Sequence, residues 1–461
     1  MKPCLAAFRI ALSVAILVCV PRCLRSAEAR PSQVRASAAR GYELLLTKPF
    51  LAKEFSPRTF ANLWKVWPKP LKEKAAAATA DQRRRMAFTR YGFIPSPDRN
   101  RKTALGFVVD DDGDRVMNCL VCHGGKVAGR VIPGLGNTHF AFQTLTQDLV
   151  RAQIAEGKQP SEDLLNRLYT PLGRSNGTTD AQLFSVALVS LRDGEMNFHA
   201  ERKLPKLMPC DLDAPPLWNT KKKSRLYIDG FVGKSPRTIM QFVLIPRNDA
   251  ETLKSWEDDF RDVLAWIESL EPPKYPWTIN RDLAARGKTL FNQTCADCHG
   301  TYGPDGHYPE KTVPIEEIGT DDTRLRSLPL SHRRFFETSW FSDGGTLPVI
   351  PSPGGYVAPP LDGIWASAPY LHNGSVPTLW HLFHVDRRPA VWRRSEDGYD
   401  RRRVGLEVTE YDAMPPEVRH GDEKRMYFNT RLPSKSAAGH EFPETLSEDE
   451  KLAVIEYLKT L

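Results

Sequence analysis

The clearest helical pattern in the chain lies at 253–270, where apolar side chains recur every three or four residues. The apolar positions are Trp256, Phe260, Val263, Leu264 and Ile267. This spacing places them on one face and predicts an amphipathic helix. The segment 271–279 that follows is rich in proline, which predicts that the helix ends there and that a linker begins.

The last stretch of the chain repeats this plan. Ser447 and Glu450 have the spacing of a capping box, which predicts the start of a helix. The apolar stripe of that helix is Leu452, Ile455 and Leu458. The sequences WIESL at 266–270 and YLKTL at 457–461 share the order aromatic, aliphatic, any residue, hydroxyl residue, Leu. Because this order occurs twice, we expect a tandem pair of similar helical units.

Two five-residue runs carry the strongest chemical signal in the chain. They are Cys119-Leu120-Val121-Cys122-His123 and Cys295-Ala296-Asp297-Cys298-His299. Each reads Cys-x-x-Cys-His, the attachment sequence of c-type haem. Thiols at i and i+3 share a helical face and can add to the two vinyl groups of one porphyrin, while the His at i+4 gives the iron its first axial nitrogen. Zinc is the alternative, but a zinc site needs four donors and each run offers three. The pattern predicts two covalently bound haem c groups.

The placing of these runs suggests how the chain is divided. Each run precedes one of the two similar helices, so we expect a mainly α fold of two tandem cytochrome c-like helical domains with long loop insertions. The predicted boundaries are 30–104 for an N-terminal extension, 105–275 for the first haem domain and 276–461 for the second. A helix expected at 282–293 resembles the first helix of cytochrome c domains, in which a glycine, here Gly287, permits a close helix crossing.

The amino terminus predicts export of the chain. Lys2 and Arg9 form a short basic region, an apolar stretch follows at 10–20, and Ala27-Glu28-Ala29 has the pattern of a cleavage site, so 1–29 is expected to be a signal peptide. Covalent attachment of haem requires an exported chain, which indicates the periplasm or another extracytoplasmic space. The remaining segments are not apolar enough for an integral membrane protein.

The mature chain would keep five cysteines, and Cys210 is the one outside the haem runs, so no intramolecular structural disulfide is expected. The content of 41% hydrophobic and 26% charged residues is that of an ordinary globular protein. The net charge of +8 does not indicate nucleic-acid binding, because aromatic interleaving and known nucleic-acid-binding modules are missing. The basic group Arg387, Arg388, Arg393 and Arg394 could instead pair with haem propionates or with an acidic redox protein.

The sixth iron ligands decide what each haem can do, because an iron with two strong protein ligands only transfers electrons. For the second haem, His440 is the best candidate because it lies just before the last helix, and Met414 and Met426 are alternatives. No sixth ligand is obvious for the first haem. His139 could bind that iron or exchange protons with bound peroxide, and His199 is a weaker candidate.

Residues 363–379, GIWASAPYLHNGSVPTL, resemble the signature of the di-haem cytochrome c peroxidase superfamily, and are closest to its rubber-oxygenase-like branch. The stretch 122–134 and the Gly439-His440 step resemble that branch too, so the resemblance runs from about residue 105 to the end. It implies a helical two-haem fold in which the N-terminal haem binds the oxidant and the C-terminal haem has two protein ligands, which supports His440.

The resemblance suggests one further residue, and the chemistry of the 363–379 segment suggests another. Peroxidases of this superfamily use a Trp between the haem motifs to pass electrons, and Trp218 is the candidate here. His372 supplies a hydrogen-bonding group within the 363–379 turn and could line a haem edge. The expected activity is that of an oxidoreductase that uses O₂ or peroxide together with an unidentified reductant or organic substrate. The alternative is an electron carrier with both haems six-coordinate.

Overall fold

Helices and short strands alternate in the computed structural model, which describes residues 36–98, 100–101, 103–160, 164–165, 173–343 and 345–461. Helix makes up 41% and strand 14% of the structure. The prediction of a mainly α fold with two tandem cytochrome c-like helical domains is therefore wrong. The described residues form a mixed α/β structure with many small sheets and no clear tandem pair of helical domains. The predicted signal peptide, 1–29, lies outside the described residues.

The helices are short except for a few. The α-helices are Ala38–Thr47, Pro57–Asn62, Lys69–Ala76, Ala80–Tyr91, Leu120–His123, Phe142–Ala155, Ala181–Ser190, Pro236–Ile239, Ala250–Ser255, Glu257–Ser269, Arg281–Thr294, Ala296–His299, Ile315–Ile318, Thr323–Ser327, Leu330–Thr338, Leu379–Leu382, Gly421–Lys424 and Glu448–Leu458. Turns of 3₁₀ helix lie at Leu63–Val66, Leu217–Lys222, Gln241–Val243, Trp340–Ser342, Ile364–Ala366, Val385–Arg387 and Phe442–Thr445.

The strands form two three-stranded and four two-stranded antiparallel sheets among the described residues. In the first three-stranded sheet, Arg115–Met117 lies between Lys53–Phe55 and Phe107–Val109. In the second, Val391–Asp400 lies between Gly405–Tyr411 and Phe428–Asn429. The two-stranded sheets pair Gly124–Val127 with Arg130–Pro133, Thr178–Thr179 with Leu212–Asp213, Arg225–Leu226 with Val232–Gly233, and Thr312–Pro314 with Gly355–Val357.

The length and composition of the strands explain why the sequence pattern suggested mostly helix. Thr178–Thr179 and Leu212–Asp213 hold two residues each, which is too few for an alternation to be visible. Val391–Asp400 is longer, but it is buried only at its first two residues and is charged beyond them. Such a hairpin has little apolar alternation for a sequence reading to detect.

The predicted helix at 253–270 is present, with a break at Trp256 that divides it into Ala250–Ser255 and Glu257–Ser269. The second part packs against Ala38–Thr47. Gly41 makes this possible, because a Cβ there would lie 1.9 Å from the carbonyl oxygen of Asp262. Arg40 also pairs with Asp262 across the contact.

The helix expected at 282–293 is confirmed as Arg281–Thr294, and it crosses the last helix, Glu448–Leu458, closely. Gly287 allows the crossing, because a Cβ there would lie 1.8 Å from the carbonyl oxygen of Ala453. The capping box is confirmed by the backbone N–H of Ser447, which donates to Glu450 Oε2 at 2.9 Å. The predicted stripe is only partly buried, since Leu452 is 47% exposed.

Residues 36–461 group into one unit by their contacts, and the predicted boundaries at 30–104, 105–275 and 276–461 stay predictions. Its apolar core contains a cluster around Phe260 and Trp266, a second around Tyr91 and Phe107, and a third around the 363–379 segment and the last helix. None of the helices in the described residues has the length and apolar character needed to cross a membrane.

Candidate functional site

The first Cys-x-x-Cys-His run forms a single helical turn that is fixed at its start. Asn118 Oδ1 accepts the backbone N–H of Leu120 at 2.8 Å, and its Nδ2 donates to the carbonyl oxygen of Leu45 at 2.6 Å. The backbone N–H of His123 donates to the carbonyl oxygen of Cys119 at 3.0 Å. The turn therefore has the local geometry that places its two thiols and the imidazole around one porphyrin.

His123 is oriented as a haem ligand should be. Its Nδ1 lies 3.1 Å from the carbonyl oxygen of Pro215, and because a carbonyl only accepts, Nδ1 carries the proton. The other ring nitrogen, Nε2, then has a free lone pair for a metal. Burial lowers the pKa of His123 to about 4, so the ring is neutral at physiological pH.

Protein surrounds both thiols of the first run. Burial raises the pKa of the Cys119 thiol to about 11 and that of the Cys122 thiol to about 12. Cys119 still keeps part of its surface exposed to solvent. The residues present therefore fit a porphyrin held by two thioether bonds.

The second run has the same plan at the proximal histidine. The turn Ala296–His299 directly follows the helix Arg281–Thr294. His299 Nδ1 donates to the carbonyl oxygen of Pro359 at 2.8 Å, which again leaves Nε2 free. Burial lowers the pKa of His299, so this ring is neutral too.

His440 lies opposite His299. The centroids of the two imidazole rings are 6.1 Å apart, and the ring planes are inclined by 59°. Two metal–imidazole bonds of about 2 Å, plus about 1 Å from each nitrogen to its ring centre, require about 6 Å. The spacing thus fits one iron between the rings. Burial lowers the pKa of His440 to about 3, so this ring is also neutral.

The backbone of His440 is held in an uncommon conformation. Its φ of +52° lies in the left-handed region, and its N–H donates to the carbonyl oxygen of Ile318 at 2.7 Å. Gly439, with φ +78°, packs directly on Gly319: a Cβ at 439 would lie 2.3 Å from the carbonyl carbon of Gly319. These contacts hold the loop before the last helix against the segment 318–320.

His139 belongs to a loop that is bonded to the first run. The backbone N–H of Asn137 donates to the carbonyl oxygen of Cys122 at 2.6 Å, and Asn137 Nδ2 donates to that of Val121 at 2.9 Å. Asn137 Oδ1 accepts the N–H of His139 at 3.2 Å. Burial, with a smaller contribution from Arg394, lowers the pKa of His139 to about 3. The ring is therefore a neutral base close to the first run.

A small cavity of about 40 Å³ opens beside His139, with Lys126, Leu135, Ala368 and Tyr399 among its lining residues. The ion pair between Lys126 Nζ and Asp397 Oδ1, 2.8 Å long, lies at its more exposed side. The cavity gives small molecules a space next to this imidazole.

Arg394 and Asp213 are two further ionisable groups of this region: the charge of Arg394 acts on His139 and on Asp213, and the sequence indicated Arg394 only as a member of the basic group and Asp213 not at all. Burial raises the pKa of Asp213 to about 8, against the opposing charge of Arg394. Burial lowers the pKa of Arg394 to about 10, and its Nη1 is buried without a hydrogen-bond partner. Asp213 lies two residues before Pro215, whose carbonyl orients His123. Only tertiary structure brings 213 and 394 together, so no local pattern could have indicated them.

Trp218 lies on a hydrogen-bonded path between the two proximal histidines. Its Nε1–H donates to the carbonyl oxygen of Asp362 at 2.7 Å, and its ring packs on Gly363. Trp218 follows Pro215 by three residues, and Asp362 follows Pro359 by three residues. The two carbonyls that orient the proximal histidines are thus connected through the Trp218 hydrogen bond.

The other predicted residues lie elsewhere. The ring of His372 packs against Tyr356 at 4.7 Å between centroids, and its carbonyl oxygen accepts the N–H of Asp213 at 3.0 Å. His199 has both ring nitrogens near carboxylates, those of Asp193 and Glu201. Met426 is 44% exposed, and Met414 is half-buried.

Residues 36–461, apart from the few positions that the structure does not describe, contain no group of three or more His, Cys, Asp or Glu side chains arranged to hold a bare metal ion.

Comparison with known proteins gives a match for part of the chain. A family profile described as RoxA-like, cytochrome c-like, matches residues 355–393, the segment that contains Pro359, Asp362 and Gly363. Two uncharacterised proteins of Sinorhizobium fredii (strain NBRC 101917 / NGR234) are similar to the chain. One, y4iM, is 27% identical over 54% of this chain and 64% of its own length. The other, y4iJ, is 31% identical over 42% of this chain and 41% of its own length.

The chain therefore spans less than two thirds of the length of either relative. The profile match supports a link to the cytochrome c family and a haem-binding redox protein with covalently bound haem c.

Proposed function

We propose that this chain is an exported di-haem c-type cytochrome that acts as an oxidoreductase of the peroxidase or oxygenase type. The observation that carries the proposal is the difference between the two proximal histidines. His299 faces His440 across 6.1 Å, whereas the run that carries His123 is bonded through Asn137 to the loop of His139, which lines a cavity. When bound, haem supplies an iron that exchanges electrons and, where a coordination position is open, binds O₂ or peroxide.

At the second centre, the chain has residues to hold a haem and to fill both remaining coordination positions of its iron. Cys295 and Cys298 would hold the porphyrin, and the imidazoles of His299 and His440 would both hold its iron. With both positions filled by protein, this centre stores or relays an electron. The neutral state of both rings, which burial maintains, is the state in which imidazole donates a lone pair.

At the first centre, Cys119 and Cys122 would hold the porphyrin and His123 would hold its iron. The neutral ring of His139 would accept a proton from peroxide in the cavity and give that proton back. The cavity of about 40 Å³ beside His139 has room for a small oxidant such as O₂ or peroxide. The carboxyl of Asp213, protonated at neutral pH, is a second proton source nearby.

Trp218 provides the route between the centres. Its hydrogen bond to Asp362 O connects the segment of Pro215, which orients His123, to the segment of Pro359, which orients His299. This short path of covalent and hydrogen bonds between the two histidines supports a bridging role. His372 belongs to the 363–379 segment, which lines the cavity with Ala366 and Ala368, and the packing of its ring on Tyr356 helps to hold this segment in place. The electron source outside the cavity is an unidentified small reductant or a small redox protein.

A pure electron carrier is the second candidate function. The observation that favours it is the attachment of the His139 loop to the first run, because a neutral imidazole held there is also a competent iron ligand. In that case both centres would be saturated and the cavity would have no role in chemistry.

Binding of carbon monoxide to the fully reduced holoprotein separates the two functions. The purified chain is expected to carry two haems that resist acid–acetone extraction and to bind one CO for every two haems. The substitution His440→Ala should raise this to two CO. A wild-type protein that binds no CO would refute the enzymatic function and leave the carrier, and a haem content of one per chain would refute the di-haem assignment.

A further inference from the structure

Arg388 connects the segment matched by the family profile to the loop that carries His440. Its Nη1 donates to the carbonyl oxygen of Gly439 at 2.7 Å and also to that of Ala437. Its Nη2 donates to Leu382 O at 3.0 Å, and its Nε to His381 O at 3.2 Å. One guanidinium thus joins four carbonyls from two segments distant in sequence.

Arg388 has no ion-pair partner within 4 Å among the described residues. The four carbonyl oxygens are therefore the groups that stabilise its charge. Burial lowers its pKa to about 10, while Glu441 and Glu444 act from a distance to raise it. The guanidinium therefore stays protonated at neutral pH. Hydrogen bonds from a charged donor in a protein interior are about twice as strong as neutral ones. The planar fork of Arg also fixes its acceptors in one geometry, which the ammonium of Lys does not.

Asn373 holds the same loop at a second point. The side chain is fully buried, and its Nδ2 donates to the carbonyl oxygens of Ser434 at 3.2 Å and Ser436 at 2.9 Å. Asn373 belongs to the His-Asn-Gly-Ser sequence of the 363–379 motif. The motif therefore contributes a backbone anchor for the loop 434–440, and Arg388 contributes the other.

His440 needs such anchors. A non-glycine residue with φ +52° is held in a sparsely populated conformation and persists only where its surroundings determine it. Together with the hydrogen bond from His440 N–H to Ile318 O and the packing of Gly439 on Gly319, these anchors keep the ring opposite His299.

We propose that Arg388, assisted by Asn373, is a positioning residue for the sixth ligand of the second haem: it fixes the loop 434–440 so that the His440 ring faces His299. This proposal rests on the proposed function, in which His440 is that ligand. The segment matched by the family profile then positions both histidines of the second centre. Its Arg388 holds the loop of His440, and the carbonyl of its Pro359 orients His299.

The test uses the full-length holoprotein and the absorption and EPR spectra of its two haems. Arg388→Gln should lower the ratio of six- to five-coordinate second haem by about tenfold or more, because it removes several charge-assisted hydrogen bonds. Added imidazole should restore the low-spin spectrum in Arg388→Gln, as it should in His440→Ala. Arg388→Lys keeps the charge but not the planar fork, so it should lose a smaller part of the six-coordinate second haem. This variant keeps the proposal testable if Arg388→Gln does not fold.

Arg192→Gln is the matched control. Arg192 is fully buried and likewise donates to several loop carbonyls, among them Met196 O at 2.6 Å and Ile245 O at 2.6 Å, but these loops do not carry His440. It should leave the second-haem spectrum unchanged. The proposal is overturned if the Arg388 variants keep the wild-type low-spin signal, or if Arg192→Gln disturbs the second haem as much as they do. If His440→Ala itself leaves the spectrum unchanged, the ligand assignment of the proposed function is what fails.

Discussion

Replacing Gly439 with alanine tests the assignment of His440 most directly. The added Cβ would lie 2.3 Å from the carbonyl carbon of Gly319 and 2.4 Å from the backbone nitrogen of Thr320, whereas ordinary contacts are 3.4–4 Å. The two loops must therefore separate by about 1 Å, half the length of a metal–imidazole bond of about 2 Å. The left-handed φ of +78° and the overpacking together cost about 2–4 kcal/mol of stability.

The expected result is a second haem that changes from low-spin six-coordinate to high-spin five-coordinate, measured by EPR of the ferric holoprotein. Gly354→Ala is the matched control: Gly354 has φ +68°, and a Cβ there would have no neighbour within 4 Å. It should cost about 1–2 kcal/mol and leave the spectrum unchanged. A low-spin second haem that survives in Gly439→Ala would show that the ligand does not come from this loop.

Three further outcomes are expected. Trp218→Phe, which removes the hydrogen bond to Asp362 O, should slow electron transfer between the haems in stopped-flow absorption after peroxide is added; an unchanged rate would exclude Trp218 from the path. His139→Gln should lower the rate of peroxide consumption by about 10²–10⁴-fold, and activity equal to the wild type would rule out His139 as the proton acceptor. Asp180, fully buried, has a pKa raised to about 7 by burial and by Asp211, so the folded chain binds one more proton than the unfolded chain between about pH 4 and 7. The stability linked to this proton is fully present below pH 4 and is lost as the pH rises to 7. In chemical unfolding, the free energy of unfolding of Asp180→Asn should therefore rise relative to that of the wild type by up to about 4 kcal/mol between pH 4 and 7. A difference that does not change with pH would contradict the assignment.

Features set by neighbours in sequence could be predicted. Each Cys-x-x-Cys-His turn is a local structure, and the helices Arg281–Thr294 and Glu448–Leu458 follow from apolar spacing and a capping box. The role of Gly287 in a close crossing could also be predicted, because such a contact requires a residue without a side chain.

The rest of the site depends on contacts that a linear pattern does not record. The acceptors that orient His123 and His299 are main-chain carbonyls of Pro215 and Pro359, and a carbonyl is present at every residue. The mixed α/β fold was missed for a related reason, since two-residue strands are defined by their partners. The basic group at 387–394 was noticed, but the task of Arg388 could be assigned only when its four acceptors were known.

The arrangement around His440 has a consequence for how the protein matures. In the proposed di-haem protein, the thioether bonds of the second haem would need only Cys295 and the turn Ala296–His299, which are neighbours in sequence. The position of His440 depends instead on contacts of its loop with residues 318, 373 and 388, which are distant in sequence. The colour change that accompanies six-coordination should therefore be the last event in biogenesis, and it would serve as an optical marker of chains that have finished folding.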